Sequence, residues 1–258
     1  MGSLVGIQAE RGETKPGRKV PLLPAYPPPV TEAFDIVRRG YDQIGVRYRE
    51  WSKDSVVRVR WLQRLLDELD DGGLVLDLGC GPGEPATRLL AERHRVIGID
   101  ASGMQLRLAR QAAPTALFVQ ADMTRLQLRA GSLDAVASFY ALGHIPADAH
   151  RPLLTSVARW LRPGGLLLTS APLGVGNGHD PSWLGVPMFF GGIGPAATRE
   201  AVADAGLIVD AWEVVPEDEG DAHIVEFIWL LARKPSVGAS GKVLVQRRRK
   251  PVGSFTIS

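Results

Sequence analysis

Short apolar runs alternate with helically patterned stretches through most of the chain. The clearest run, Leu74 to Leu78, is interrupted only by Asp77 and predicts a strand buried on both faces of a parallel sheet. It opens into Gly79-Cys80-Gly81-Pro82-Gly83, where absent side chains allow a sharp turn and close approach by a ligand. Helix formers follow from Ala86 to Arg93. Similar runs at 95–100, 116–120, 133–139 and 166–171 predict four more strands. Between them lie helices at 103–112, capped by Ser102, and at 149–161, stopped by Arg162-Pro-Gly-Gly165. Strands alternating with helices imply a parallel sheet covered on both faces.

Both ends of this unit are patterned differently. A helix is predicted from a Thr31 cap through Phe34, Ile36, Val37, Tyr41, Ile44 and Tyr48. A second, over 55–69, places Val59, Leu62, Leu65, Leu66 and Leu69 on one stripe. After the fifth strand, residues 172–196 set aromatic side chains among glycines and predict a long loop of the kind that forms a substrate lid. A helix over 197–205 and strands over 207–215 and 222–232 follow, the strands joined by an acidic turn at 216–221 short enough for an antiparallel hairpin.

Composition adds bounds. With 258 residues, 45% of them hydrophobic and 22% charged, one domain over 31–234 is expected, flanked by a Gly/Pro-rich tail (1–30) and a basic tail (235–258). No apolar stretch approaches the roughly 20 residues that span a bilayer, and no apolar block marks a secretory signal, so the expected location is the cytoplasm. Cys80 is the only cysteine, which rules out an internal disulfide and favours a small buried side chain over a nucleophile. The net charge of +2 divides into +7 on the two tails and −5 on the rest. An acidic body argues against nucleic-acid binding, although Gln246-Arg-Arg-Arg-Lys250 is a weak candidate for anion capture.

The glycine loop narrows the ligand. A dinucleotide fingerprint has its third glycine three positions after the second, where this chain has Glu84. A pyrophosphate there would meet the carboxylates of Asp77 and Glu84, and no lysine follows to make a P-loop. A ligand with a ribose, an adenine and a positive charge suits the same groups. Asp100 ends the second strand, where an acid can accept ribose hydroxyls, and Asp122 follows the third, where a carboxylate can accept an adenine amino proton. A nicotinamide-dependent oxidoreductase remains the less favoured alternative.

At this point Val75-Leu-Asp-Leu-Gly-Cys-Gly-Pro-Gly83, Val96-Ile-Gly-Ile-Asp100, Ala121-Asp-Met123, Leu133-Asp-Ala-Val-Ala-Ser138 and Leu161-Arg-Pro-Gly-Gly165 resemble the successive motifs of class I S-adenosylmethionine-dependent methyltransferases. The resemblance covers roughly residues 31–234. It implies a doubly wound α/β Rossmann-like fold, a seven-stranded, mostly parallel sheet with a C-terminal antiparallel hairpin. It also implies S-adenosylmethionine as cofactor, with no metal. Gly79, Gly81 and Gly83 would pass its methionine part, Asp100 would hold the ribose, and Asp122 with Met123 would frame the adenine. Asp77, Cys80, Ala101, Ala121 and Tyr48 complete the expected cofactor set.

Methyl transfer needs alignment, a dry pocket and a base where the nucleophile carries a proton. His144, beyond the fourth strand, is the first candidate for base or orienter, against a purely structural role for it in its loop. His179 in the lid is the rival, while His94 and His150 read as helix-surface residues. Tyr41 and Tyr48 share a helix face that either closes over the cofactor or packs on the sheet. Tyr41, Tyr140, Trp183, Met188, Phe189 and Phe190 are candidates to line an acceptor pocket, against a hydrophobic plug that only packs the lid. The expected acceptor is a small, largely apolar metabolite methylated on O, N or C, handled by a monomer or homodimer. The alternative is a macromolecular methyltransferase that uses the basic tail.

Overall fold

A computed structural model describes residues 32–218 and 224–236 and the backbone of residues 237, 243 and 244. Helices α1 (Glu32–Ser52) and α2 (Val56–Glu68) precede a βα series: β1 (Leu74–Leu78), α3 (Ala86–Ala91), β2 (Arg95–Asp100), α4 (Gly103–Ala112), β3 (Leu117–Gln120), β4 (Leu133–Ser138), α5 (His150–Trp160) and β5 (Leu161–Pro172). Then come β6 (Val175–Trp183), β7 (Val186–Ile193), α6 (Gly194–Asp204), β8 (Ile208–Asp218) and β9 (Ile224–Arg233).

The main sheet has seven strands in the order β3-β2-β1-β4-β5-β9-β8. The first five run parallel, while β9 is antiparallel to both β5 and β8. The continuous apolar run of β1 is divided by strand alternation. Leu74, Leu76 and Leu78 face a core with α5 and α6, whereas Val75 faces a second core with α2 and α3. The parallel register aligns the carboxyl ends of β1, β2 and β3, pairing Asp77 with Gly98 and Asp100 with Gln120. Every loop that carries candidate chemistry therefore leaves one edge of the sheet.

Ser55 and Ser102 cap α2 and α4, each accepting a backbone N–H from three residues on. In α2 the buried stripe includes Trp61 where Val59 was expected; Val59 is 42% exposed and Trp61 not at all. The indole stacks on Trp229 of β9 at 5.9 Å, a contact invisible to local periodicity.

The expected loop at 172–196 is instead a two-stranded hairpin, β6 and β7. Leu184 and Gly185 connect its strands with φ of 46° and 80°, the left-handed pair of a tight hairpin turn. Glycines weaken its strand signal, and it is held by α1, against which Val186, Met188 and Phe189 bury beside Val37, Ile44 and Tyr48. The expected acidic turn begins later than predicted, because Pro216, Glu217 and Asp218 extend β8 opposite Glu226, Val225 and Ile224. His94 and His150, expected on helix surfaces, are both buried.

Thr31, the N-terminal tail and most of the basic tail lie outside the described residues. Within that last segment β10 (Ser236–Val237) pairs antiparallel with β11 (Val243–Leu244). Among the described residues no helix is long and apolar enough to cross a membrane.

Candidate active site

Past β1 the chain bends through left-handed backbone at Gly79, Gly81 and Gly83, with φ of 76°, 54° and 81°. The glycines do different jobs. A β-carbon at Gly79 would collide with Ala141, and one at Gly83 would lie 3.0 Å from Ala109, so these two let the loop pack on its neighbours. At Gly81 the nearest atom would be the Tyr48 ring at 3.7 Å, which leaves bare backbone facing open space.

Asp100 fixes this loop. Its carboxylate oxygens accept the N–H groups of Gly81 and Ser102, each at 2.8 Å. Burial raises its pKa to about 6. Asp77 is also raised to about 6 by burial, against the opposing bond from the Thr87 hydroxyl at 2.6 Å. Asp122 accepts Thr124 N–H at 2.9 Å and its hydroxyl at 2.7 Å, shaping the turn after β3. Burial pushes the Cys80 thiol well above its ordinary pKa, which leaves it no nucleophilic character.

Three adjoining cavities follow the sheet edge. One of about 330 Å³ is bounded by Asp100, Ala101, Ala121, Asp122 and Met123. A narrow one of about 60 Å³ shares Asp100, Ala101 and Met123 with it and adds Gly79, Gly81, Tyr41, Tyr48 and Tyr140. The third, about 710 Å³, shares the three tyrosines and adds Trp51, His179, Trp183 and Phe190. His144 borders all three.

The surroundings of His144 fix its chemistry. Nδ1 is 3.0 Å from the Phe189 carbonyl, which can only accept, so Nδ1 carries the proton. Nε2 is left with its lone pair and receives the Tyr41 hydroxyl at 2.8 Å. Burial lowers its pKa to about 4, keeping the ring neutral at ordinary pH, while burial raises Tyr41 well above its usual value and keeps the phenol a donor. Around them Tyr41, Tyr48, Trp51, Trp183, His144 and Phe190 stack edge to face or tilted, with centroids 4.9 to 6.2 Å apart.

Of the residues expected at the cofactor, Gly79, Gly81, Asp100, Ala101, Ala121, Asp122, Met123 and Tyr48 border the two smaller cavities. Asp77, Cys80 and Gly83 are buried and border none of the three cavities. Of the acceptor set, Tyr41, Tyr140, Trp183 and Phe190 border the large cavity. Met188 and Phe189 are buried against α1, where Phe189 serves His144 through its backbone.

The large cavity has a second wall, on which sequence reasoning placed Tyr140 but not its partners. Tyr140, held at φ 58°, donates its N–H to Ser170 and its hydroxyl to Glu217, whose other oxygen accepts the Trp229 indole N–H at 3.0 Å. The Arg58 guanidinium lies 4.8 Å over the Tyr140 ring and donates to the Glu84 carbonyl. Trp51, three residues past Tyr48 on the same face, was legible from spacing; Glu217, read as part of a turn, was not.

A family model described as methyltransferase domain matches residues 75–165. The chain is 43% identical over 117 residues to trans-aconitate 2-methyltransferase of Azoarcus sp., 44% of each chain. It is 32% identical over 216 residues to 27-O-demethylrifamycin SV methyltransferase of Amycolatopsis mediterranei, covering 78% of this chain and 73% of that one. Against the trans-aconitate methyltransferases first matched, the chain spans about half their length. Magnesium protoporphyrin IX methyltransferase from Synechocystis, solved with bound SAH, shares the fold with a TM-score of 0.61 at 18% identity, over 79% of this chain and 100% of that one. Motifs, strand order and relatives agree: the chain belongs to the class I S-adenosylmethionine-dependent methyltransferases.

Proposed function

We propose that this protein methylates an O, N or C atom of a small, largely apolar molecule held in the 710 Å³ cavity. The observation that carries this reading is His144, which borders the acceptor cavity and both cofactor-side cavities and directs a neutral Nε2 lone pair to Tyr41.

The residues present fit the cofactor. Gly81 offers bare backbone, and each Asp100 oxygen, with one N–H accepted, keeps a lone pair for a ribose hydroxyl. Met123 gives the larger of the two cofactor-side cavities an apolar wall suited to a base, with Asp122 beside it. S-adenosylmethionine, when bound, supplies a methyl group on a sulfonium sulfur that leaves as a neutral thioether. The aromatic set around Tyr41 excludes water and presents ring faces that favour a cation. His144 Nε2, on exchanging its bond from Tyr41 for one from the acceptor, takes up the proton that the acceptor atom loses. The β6–β7 hairpin acts as the lid, setting Trp183 and Phe190 over the acceptor and the Phe189 carbonyl on His144. The acidic body supports a small molecule over nucleic acid as substrate.

The test is single-turnover transfer of a labelled methyl group to a panel of aromatic alcohols and amines by the wild type and His144→Gln. Transfer that is lost with His144 supports the reading. Labelled cofactor that fails to bind, or transfer indifferent to His144, refutes it.

A further inference from the structure

One buried cation has no counter-ion in the fold. Arg58, in the first turn of α2, is 6% exposed and is the only buried lysine or arginine among the described residues. No described carboxylate pairs with it. Its guanidinium lies 4.8 Å over the Tyr140 ring, Nη1 donates to the Glu84 carbonyl at 3.1 Å, and Nε is buried with no hydrogen-bond partner. Asp77, a buried carboxylate that feels its charge, is bound by the Thr87 hydroxyl instead. A guanidinium taken out of water with only a ring face and a carbonyl for compensation is costly to the fold until an anion joins it.

Position identifies the anion. Glu84 directly follows the last glycine of the loop, and Tyr140 lies just beyond β4. Burial raises the pKa of Tyr41, Tyr48 and Tyr140, and the charge of Arg58 opposes the rise at all three. These are the tyrosines that border the narrow cavity with Gly79, Gly81 and Asp100. In the sheet order β3-β2-β1-β4, the proposed seat of the base at Asp122 follows β3 and that of the ribose at Asp100 ends β2. That leaves β1 and β4 for the amino-acid end of the cofactor, whose carboxylate is the one anionic group of S-adenosylmethionine. Arg125, the cation bordering the base-side cavity, is already paired with Asp122 at 3.4 Å.

Building on the methyltransferase reading, we propose that Arg58 receives the carboxylate of the cofactor's methionine end and gives it the Nε proton that the fold leaves unused. Arg58 borders none of the three cavities as they stand, so the Tyr48 and Tyr140 rings shift when the carboxylate reaches it. The buried charge is thus kept for a ligand, at the expense of the fold's own stability.

Calorimetric titration of the full chain with S-adenosylhomocysteine, decarboxylated S-adenosylhomocysteine and methylthioadenosine tests this. The wild type should bind the first at least about 30-fold more tightly than the second, which lacks only the carboxylate; this comparison needs no variant to fold. Arg58→Met should reduce that preference to within about threefold, by weakening S-adenosylhomocysteine while the other two nucleosides bind as before. Arg58→Lys, which keeps the charge without the planar fork, should fall between. Because methionine replaces an uncompensated buried charge, Arg58→Met should unfold at a denaturant concentration no lower than the wild type. A wild type that binds S-adenosylhomocysteine and its decarboxylated form alike overturns the proposal, and is the result expected if Arg58 serves an acid on the acceptor. An Arg58→Met variant that is less stable yet keeps the preference also overturns it, and makes Arg58 a brace for the Glu84 carbonyl. Where methylthioadenosine binds and the carboxylate makes no difference, this proposal alone falls; where none of the three binds, the methyltransferase reading falls with it.

Discussion

Burial lowers the His144 pKa to about 4. As the proposed base it would be unprotonated at neutral pH with its lone pair available, at the cost of a weaker pull on the proton than a base near the working pH would have. With cofactor and acceptor saturating, kcat should hold from pH 8 down to about pH 5 and fall with an apparent pKa near 4; a limb near 6.5 would show that the ring is not the desolvated one described. Asp100 should appear in a different parameter. Accepting ribose hydroxyls favours its charged form, so cofactor affinity should rise between pH 5 and 7, as the free enzyme's carboxyl titrates near 6, and flatten above. Asp100→Ala should weaken cofactor binding by about 1 to 3 kcal/mol, measured by calorimetry; unchanged affinity would refute its role. Asp77 bears on stability. Its folded pKa lies above the usual carboxylate value, so the native state binds more protons between pH 4 and 6 and stability falls as pH rises through that window. Asp77→Asn, which keeps an acceptor for Thr87, should therefore raise the unfolding free energy at pH 7.5 by about 1 to 2 kcal/mol and change it little at pH 4. His144 has the opposite sign, its depressed pKa costing stability as pH falls from 6.5 toward 4.

Among the elements, α1 and the β6–β7 hairpin matter most, because together they close the sheet edge and hold the imidazole. Met188 is wholly buried between them, its methyl against Gly40. Met188→Ala should cost about 2 to 4 kcal/mol in denaturant unfolding and lower turnover more than cofactor affinity, since the hairpin carries Phe189. A loss of cofactor affinity as large as the loss of turnover would show that the hairpin serves the cofactor instead. The hairpin is also where sequence reading stopped short. β1 to β5 announced themselves by continuous apolar runs and the stops between them, and Ser102 by its cap position. β6 carries no buried side chain and has three glycines, Gly174, Gly176 and Gly178, in or beside it. Its order comes from pairing with β7 and from the packing of β7 on α1, which are non-local. The same holds for Glu217, whose partners Tyr140 and Trp229 are 77 and 12 residues away. Asp100 and Asp122 were legible because they end or closely follow β2 and β3, and His144 because it lies in the loop after β4, where topology delivers such loops to one edge.

At the scale of the whole molecule, the proposed function would have the doubly wound core take the cofactor at its loops and the aromatic cap of α1 and the β6–β7 hairpin face the acceptor. Net charge divides along the chain instead, +7 on the two terminal segments and −5 on the rest. A chain ending after Leu244 should retain cofactor affinity and small-molecule turnover within about twofold, since every described residue bordering the cavities precedes it. Abolished turnover would favour capture of a macromolecule by the basic segment. The central claim, that these cavities seat S-adenosylmethionine beside His144, is tested most directly by calorimetric titration of S-adenosylhomocysteine into the wild-type chain at pH 7. The account predicts a single micromolar site per chain; no detectable binding at 100-fold higher concentration, about 10⁻⁴ M, would contradict it.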